Sequence, residues 1–238
     1  MQTILHKASQ RGFVNHGWLK AAHSFSFGSW YNAEKIRFGM LRVLNDDEIA
    51  PHQGFSEHPH DNMEIITLVQ EGALKHKDSM GNEIIMHPNE VQVMSAGSGI
   101  LHSEINPSAS ITKLFQIWVF PNKKNVTPRY EQKIFLPENR KNKWQEIIKP
   151  YTQNDGDGIF IYQEAWFYLC DLEENQSITY TQKKAGNGAF VFVINGEIEI
   201  QSNTLQTRDA IGITDFSEFT ICSTSKSSLL LIEVPMNL

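Results

Sequence analysis

Short alternating runs, broken at close intervals by Gly, Asn, Asp and Pro, constrain this chain more than any other feature. Alternation with a period of two marks half-buried strands. Runs this short, with turn residues between them, point to a sandwich or barrel and away from strand–helix–strand units. Residues 37–44 read as a strand closed by the turn Asn45-Asp46-Asp47, and residues 64–69 as a second ended by Glu71-Gly72. Residues 74–77 pair with 84–86 across the polar turn 78–82. Residues 91–94 and 114–119 follow. In the latter, Phe115, Ile117 and Val119 form a core stripe, and Trp118, of opposite parity, is expected between domains. Only residues 142–148 carry a helical look, so the expected class is all-β with few short helices.

A faint internal repeat divides the chain. Val69-Gln70-Glu71-Gly72-Ala73-Leu74-Lys75-His76 resembles Val193-Ile194-Asn195-Gly196-Glu197-Ile198-Glu199-Ile200, and residues 89–95 resemble 208–214. An offset of about 120 residues implies two similar β-domains in tandem. The expected division is 1–125, a linker at 126–145, and 146–238.

Two pairs of ligating residues stand in the first copy, His58-Pro59-His60 and His102-Ser103-Glu104. Residues i and i+2 of a strand share a face, so each pair can aim two groups into one cavity. Three imidazoles and a carboxylate from two strands suit a divalent first-row metal. All nine histidines lie at or before His102. Carried across at the repeat offsets, His58 and His60 fall opposite Gln182 and Lys184, and His102 and Glu104 opposite Ile221 and Ser223. The second copy keeps the scaffold and lacks the ligands, so one metal per chain is expected.

Either pair alone reads equally well as surface histidines at a turn, or as a glycine-containing loop with a solvated glutamate. Proline between His58 and His60 favours an edge or strand start. Gly97 and Gly99 permit a tight turn or a close approach before the second pair. Glu64, four beyond His60, shares their face if the strand continues, as a fourth ligand, an acid or base, or a salt-bridge partner. His76, between Lys75 and Lys77, reads as solvated, His87 before Pro88 as exposed, and His52 as a loop residue. His6 and His16 show no partner pattern. His23 alternates with aromatics and reads as a satisfied structural histidine.

The net charge of −6 supplies no global basic field for nucleic-acid phosphates. The nearest patch, Lys123, Lys124, Arg129, Arg140, Lys141 and Lys143, is broken by Glu131 and Glu138 and reads as solvated. Two cysteines, Cys170 and Cys222, make no disulfide framework, and Cys222 reads as a small core or strand residue. No apolar run nears the ~20 residues of a membrane span, and the N-terminus lacks a signal-peptide core. A cytoplasmic monomer without membrane or direct nucleic-acid contact is expected.

Several stretches together resemble the pirin family, a two-domain branch of the cupins. They are His23-Ser24-Phe25-Ser26-Phe27-Gly28, residues 41–47, Gly54-Phe55 with His58-Pro59-His60, Met63-Glu64-Ile65, and residues 94–104. The resemblance covers nearly the whole chain and is strongest from about His16 to Phe120. It implies two jelly-roll cupin domains facing one another, with His58, His60, His102 and Glu104 as ligands in the N-terminal one. The wider cupin pattern would place a glutamate at Glu64 instead; the His-Ser-Glu context is the pirin form. Asp61 departs from the basic residue many relatives carry and changes the pocket's charge.

The resemblance further implies a metal-dependent dioxygenase of the quercetin 2,3-dioxygenase type, acting on flavonol-like phenols with dioxygen. Fe(II) is favoured, and the donor set also admits Ni, Co, Mn, Cu or Zn. Glu104 would take the substrate's hydroxyl proton, and Phe25, Phe27 and Phe55 are expected as pocket walls. The alternative is a non-enzymatic metal or redox sensor that binds a protein partner; the family also includes a nuclear pirin that acts as an iron-dependent transcriptional co-regulator. A vestigial storage or structural cupin is a third reading.

Overall fold

The alternating runs resolve into four sheets, paired two and two. In the first unit a seven-stranded antiparallel sheet runs, in spatial order, Arg129–Ile134, Glu90–Ser95, Glu64–Glu71, Thr112–Val119, Leu41–Ile49, Leu19–His23 and Gly12–Asn15. It faces a four-stranded sheet of Gly54–His60, Ile100–Ile105, Leu74–Asp78 and Glu83–Met86. The second unit repeats the plan. Its large sheet runs Gln2–His6, Ala210–Thr214, Asn187–Asn195, Ser227–Pro235, Trp166–Leu172, Gln145–Pro150 and Ile159–Ile161; its small one runs Ser177–Thr181, Glu218–Ser223, Glu197–Ile200 and Asn203–Gln206. The computed structural model describes residues 1–237. Its helices, among the described residues, are two single 3₁₀ turns, Ala8–Gln10 and Pro137–Asn139, and no helix is long and apolar enough to cross a membrane.

The all-β expectation therefore holds, with local corrections. Residues 142–148 are not helical: Gln145–Pro150 is a strand, paired with Trp166–Leu172. The apparent helical spacing arises because Ile147 and Ile148 are both buried beside a register shift between Glu146 and Ile148. The first strand begins at Leu41 and runs to Ile49, straight through the expected turn Asn45-Asp46-Asp47. Turn-forming residues sit mid-strand there because Asn45 and Asp47 face the barrel interior. The segment expected as linker contains the strand Arg129–Ile134, which forms an edge of the first sheet on Glu90–Ser95. At the other end of the chain, Gln2–His6 crosses over to pair with Ala210–Thr214 of the second unit.

The two large sheets pack face to face, and their contact is the largest core. Phe115, Ile117 and Val119 project there rather than into their own barrel, and Phe115 meets Phe192 of the second unit at 5.4 Å between ring centres. Strand parity then turns Gln116 and Trp118 inward, so Trp118 lines the first barrel instead of the interdomain layer. His6 is buried in the same layer, edge-on to Phe25 and Phe190; burial lowers its imidazole to about 4, so it stays neutral. Asp46, on the outward face, forms ion pairs with Arg11 at 3.2 Å and with Arg208 of the second unit at 3.0 Å. Burying both large sheets leaves each small sheet as the outer wall of its barrel.

Candidate metal centre

The two candidate ligand pairs meet because Gly54–His60 and Ile100–Ile105 are neighbours, with His102 directly opposite His58. One extra residue on the first strand shifts the register between His102 and Glu104, so that Glu104 pairs with Phe55. Such a bulge re-aims side chains locally. A Cβ on Gly54 would collide with the Glu104 carbonyl oxygen and crowd Ile105; glycine there lets the strands close around the bulge. Gly97 has the same use, since its bare Cα lies against the Val126 carbonyl at a φ of +48°.

The three imidazoles converge, with ring centres of His58, His60 and His102 between 4.4 and 4.9 Å apart and one nitrogen of each within 4.8 Å of the others. His58 Nδ1 donates to the Ser56 carbonyl at 2.7 Å, which leaves its Nε2 lone pair free. Orientation of a ligand histidine by a backbone carbonyl is a recurrent support of metal sites. Burial, reinforced by its neighbours' charge, lowers His60 to about 4 and His102 to about 2. Both are neutral and ligand-competent at physiological pH. His102 is buried with neither ring nitrogen hydrogen-bonded, an arrangement that costs stability unless something else satisfies it.

Glu104 stands on the far side of His102. One carboxylate oxygen lies within 4.8 Å of a nitrogen of His102 and of one of His76. Gln116 Nε2 donates to Glu104 Oε2 at 2.8 Å, and Thr67 Oγ1 donates to Gln116 Oε1 at 3.1 Å. Full burial raises the Glu104 carboxyl to about 7 despite the bond from Gln116 and a longer one, 3.5 Å, from Thr67 Oγ1. The residues thus fit a divalent ion: neutral imidazoles, one carboxylate that ionises near neutrality, and orphaned ring nitrogens facing inward.

Two neighbours depart from their expected places. His76 is fully buried rather than solvated, because the small sheet places it directly opposite Glu104. Its Nε2 donates to Asp78 Oδ2 at 3.2 Å, and Tyr130 packs on its ring at 4.8 Å. Burial alone would raise the Asp78 carboxyl, but hydrogen bonds from Asn82, His76 and Met80 outweigh it and hold it below the usual range. Glu64, by contrast, does not share a face with His60. The chain turns through Asn62 at a φ of +44°, and Glu64 begins a strand of the large sheet. There Ile65 lines the cup and Glu64 points the opposite way. Its carboxylate accepts from Ser95 Oγ at 2.7 Å, and burial raises it to about 7 against that bond and the Arg129 charge. Among the minor expectations, His23 is buried but its Nδ1 has no protein partner, and Cys222 lies on a strand with its side chain exposed.

The cup is a cavity of about 430 Å³ whose walls are mainly apolar: Trp18, Phe27, Phe55, Ile65 and Trp118 enclose it, with the histidines at one side. Trp118 meets the His60 ring edge-on at 4.9 Å. Phe25 is not a wall; it belongs to the interdomain core. Sequence reasoning missed Asn45, Asp47 and Gln116 as cup residues, and Thr67 and His76 as buried neighbours of Glu104; alternation groups each with its own strand face but does not say which face turns inward. The equivalent space in the second unit is filled by Tyr180, Ile198, Phe219 and Ile221. Among the described residues, both groupings of potential ligands lie in the first unit.

Two eleven-stranded units of this plan, one with a donor-lined cup and one packed solid, define a bicupin whose first unit holds a candidate metal-binding cup. The chain belongs to the pirin family. The pirin family model matches residues 5–119, and that of the quercetinase C-terminal cupin domain matches residues 151–234. A quercetin 2,3-dioxygenase of Escherichia coli is 39% identical over 232 residues, 97% of this chain and 98% of that protein. A pirin-like protein of Caulobacter vibrioides is 39% identical over 93% of this chain and 95% of its own length. The solved structure of the bacterial pirin YhhW from Escherichia coli in complex with nickel(II) superimposes with a TM-score of 0.92. It shares 36% identity and covers 98% of this chain and 99% of that one.

Proposed function

We propose that His58, His60, His102 and Glu104 hold one divalent transition metal and that the cup is the active site of a dioxygenase for flavonol-like phenols. The observation that carries this reading is the convergence of three neutral imidazoles, His102 with both nitrogens unpartnered, inside an aromatic-walled cavity. A structural metal site is closed on all sides by protein; this one borders a space of about 430 Å³, within the ~300–1,000 Å³ typical of small-molecule pockets. The names of the Escherichia coli relative and of the C-terminal family model point the same way. Nickel in the bacterial pirin supports metal in the cup, and Fe(II) remains our first choice, with Ni, Co, Mn, Cu and Zn as the others the donors admit.

When bound, the metal supplies Lewis acidity that lowers the substrate hydroxyl's pKa. The protein's own groups do the rest. Glu104, by releasing or sharing one carboxylate oxygen, takes the hydroxyl proton as general base. Gln116 keeps that carboxylate in place. Trp118, Phe27 and Phe55 offer flat faces to an aromatic substrate and exclude water from the space beside the imidazoles. Dioxygen, the second substrate, adds to the electron-rich ring and cleaves it.

Aerobic turnover of quercetin by metal-loaded protein, abolished in His60→Ala, is the expected result. Absence of turnover with Fe, Ni, Co, Mn and Cu alike sinks the dioxygenase reading. Elemental analysis of protein purified without added metal identifies the native ion.

A further inference from the structure

A second cavity, of about 230 Å³, adjoins the cup. Trp18, Phe27, Asn45, Asp47 and Phe55 line both spaces. On its own the second space is smaller than the ~300 Å³ at which free-standing small-molecule pockets begin, so it reads as an annex of the cup. Its walls are aromatic where the two meet: Trp18 and Phe55 stand edge-to-face at 5.2 Å, and Phe27 contacts Trp118 of the cup at 5.2 Å and His23 of the annex at 5.3 Å.

The partition also carries polar atoms with nothing to bind. Asp47 is 3% exposed and its Oδ1 has no protein partner; Asn45, also 3% exposed, has an unpartnered Oδ1; His23, 4% exposed, has an unpartnered Nδ1. The strand register explains their meeting, since His23 lies opposite Asn45, and Asp47 follows two positions on. An orphaned buried acceptor costs free energy in the folded protein, and three around one aromatic-lined space is the signature of a site awaiting hydrogen-bond donors.

We propose that Asp47, with Asn45 and His23 beside it, forms a hydroxyl-binding subsite, so that the substrate is a polyphenol of two linked ring systems spanning both spaces. One ring presents its oxygens to the imidazoles. The second, hydroxylated ring lies among Trp18, Phe27 and Phe55 and donates to Asp47. This rests on the dioxygenase reading of the cup and adds to its flavonol-like substrate class a required hydroxyl on the ring remote from the imidazoles, held by Asp47.

The test is anaerobic calorimetry on the nickel-loaded full chain with two probes: quercetin, which carries distal hydroxyls, and 3-hydroxyflavone, which keeps only the metal-end oxygens. Wild-type protein should bind quercetin at least about tenfold more tightly, as for one hydrogen bond to a buried acceptor. Asp47→Ala should erase that preference while leaving 3-hydroxyflavone affinity in place, and Asp47→Asn, which keeps an acceptor oxygen, should restore most of it. Nickel content and near-ultraviolet circular dichroism report whether each variant is folded; the wild-type comparison needs no variant at all. Equal affinities in the wild type, or a preference that survives Asp47→Ala, overturn the subsite. Failure of both flavonols to bind overturns the reading of the cup itself.

Discussion

Gln116 Nε2 donates a 2.8 Å hydrogen bond to Glu104 Oε2, and that bond ties the second ligand pair to the large sheet across the barrel. Glu104 is fully buried, and its carboxyl is raised to about 7. Below that pH the metal-free protein holds Glu104 protonated, whereas ligation requires the carboxylate. His60 and His102, lowered to about 4 and about 2, have no proton to lose. Glu104 should therefore contribute about one proton to the release on nickel binding at pH 6 and almost none at pH 8. Calorimetry in two buffers of different ionisation enthalpy measures this, and Glu104→Gln should lower the release at pH 6 by about one proton.

Asp78 holds His76 at 3.2 Å, directly behind Glu104 and His102. Partners of this kind typically govern metal affinity by 10–100-fold. Asp78→Asn should weaken nickel binding by about that factor and alter the visible spectrum of cobalt-substituted protein. An unchanged affinity and spectrum would assign the pair to packing alone.

Gly54 lies against the Glu104 backbone with no room for a side chain. Gly54→Ala must push the two small-sheet strands apart at the bulge. A loss of about 1–3 kcal/mol in urea unfolding is expected, in the range of overpacking elsewhere, together with a loss of metal affinity exceeding that of a surface mutation. Gly81→Ala makes a useful comparison: its φ of +93° strains the backbone, but its Cβ meets nothing, so it should cost stability without touching the metal.

Glu64, on the interdomain face, is raised to about 7 by burial. A carboxyl raised in the folded state contributes stability in full below its unfolded value near 4.5 and loses it as pH rises through 7. Relative to Glu64→Gln, the wild type should lose on the order of 3 kcal/mol between pH 4.5 and 8. Histidine titrations are common to both proteins and cancel in the difference. Urea unfolding of the metal-free proteins across that range decides it; a difference independent of pH would mean that Arg129 and Ser95 keep Glu64 ionised throughout.

Strand content and the small-sheet hairpin were legible in the sequence because they depend on local alternation and turn chemistry. Residues 74–77 and 84–86 pair as that pattern requires. The convergence of His58, His60 and His102 was legible for the same reason, since i and i+2 share a face whatever surrounds them. Two other readings failed at the same step. The pattern in 114–119 shows two apolar faces, and nothing local says that Phe115, Ile117 and Val119 pack against a second domain while Trp118 turns into the cup. His76 looked solvated between two lysines because alternation identifies its face but not what lies opposite.

The ligand pairs thus stand where period two puts them, and by itself the sequence determined that three imidazoles share one cavity and that the second repeat has none to match. Only the tertiary structure decided which carboxylate stands near them. A turn through Asn62 sends Glu64 to the far side of the large sheet, and a bulge against Gly54 brings Glu104 beside His102. Both outcomes depend on where a strand ends and on what a neighbouring strand has room for, and those are properties of paired backbones rather than of residues in order.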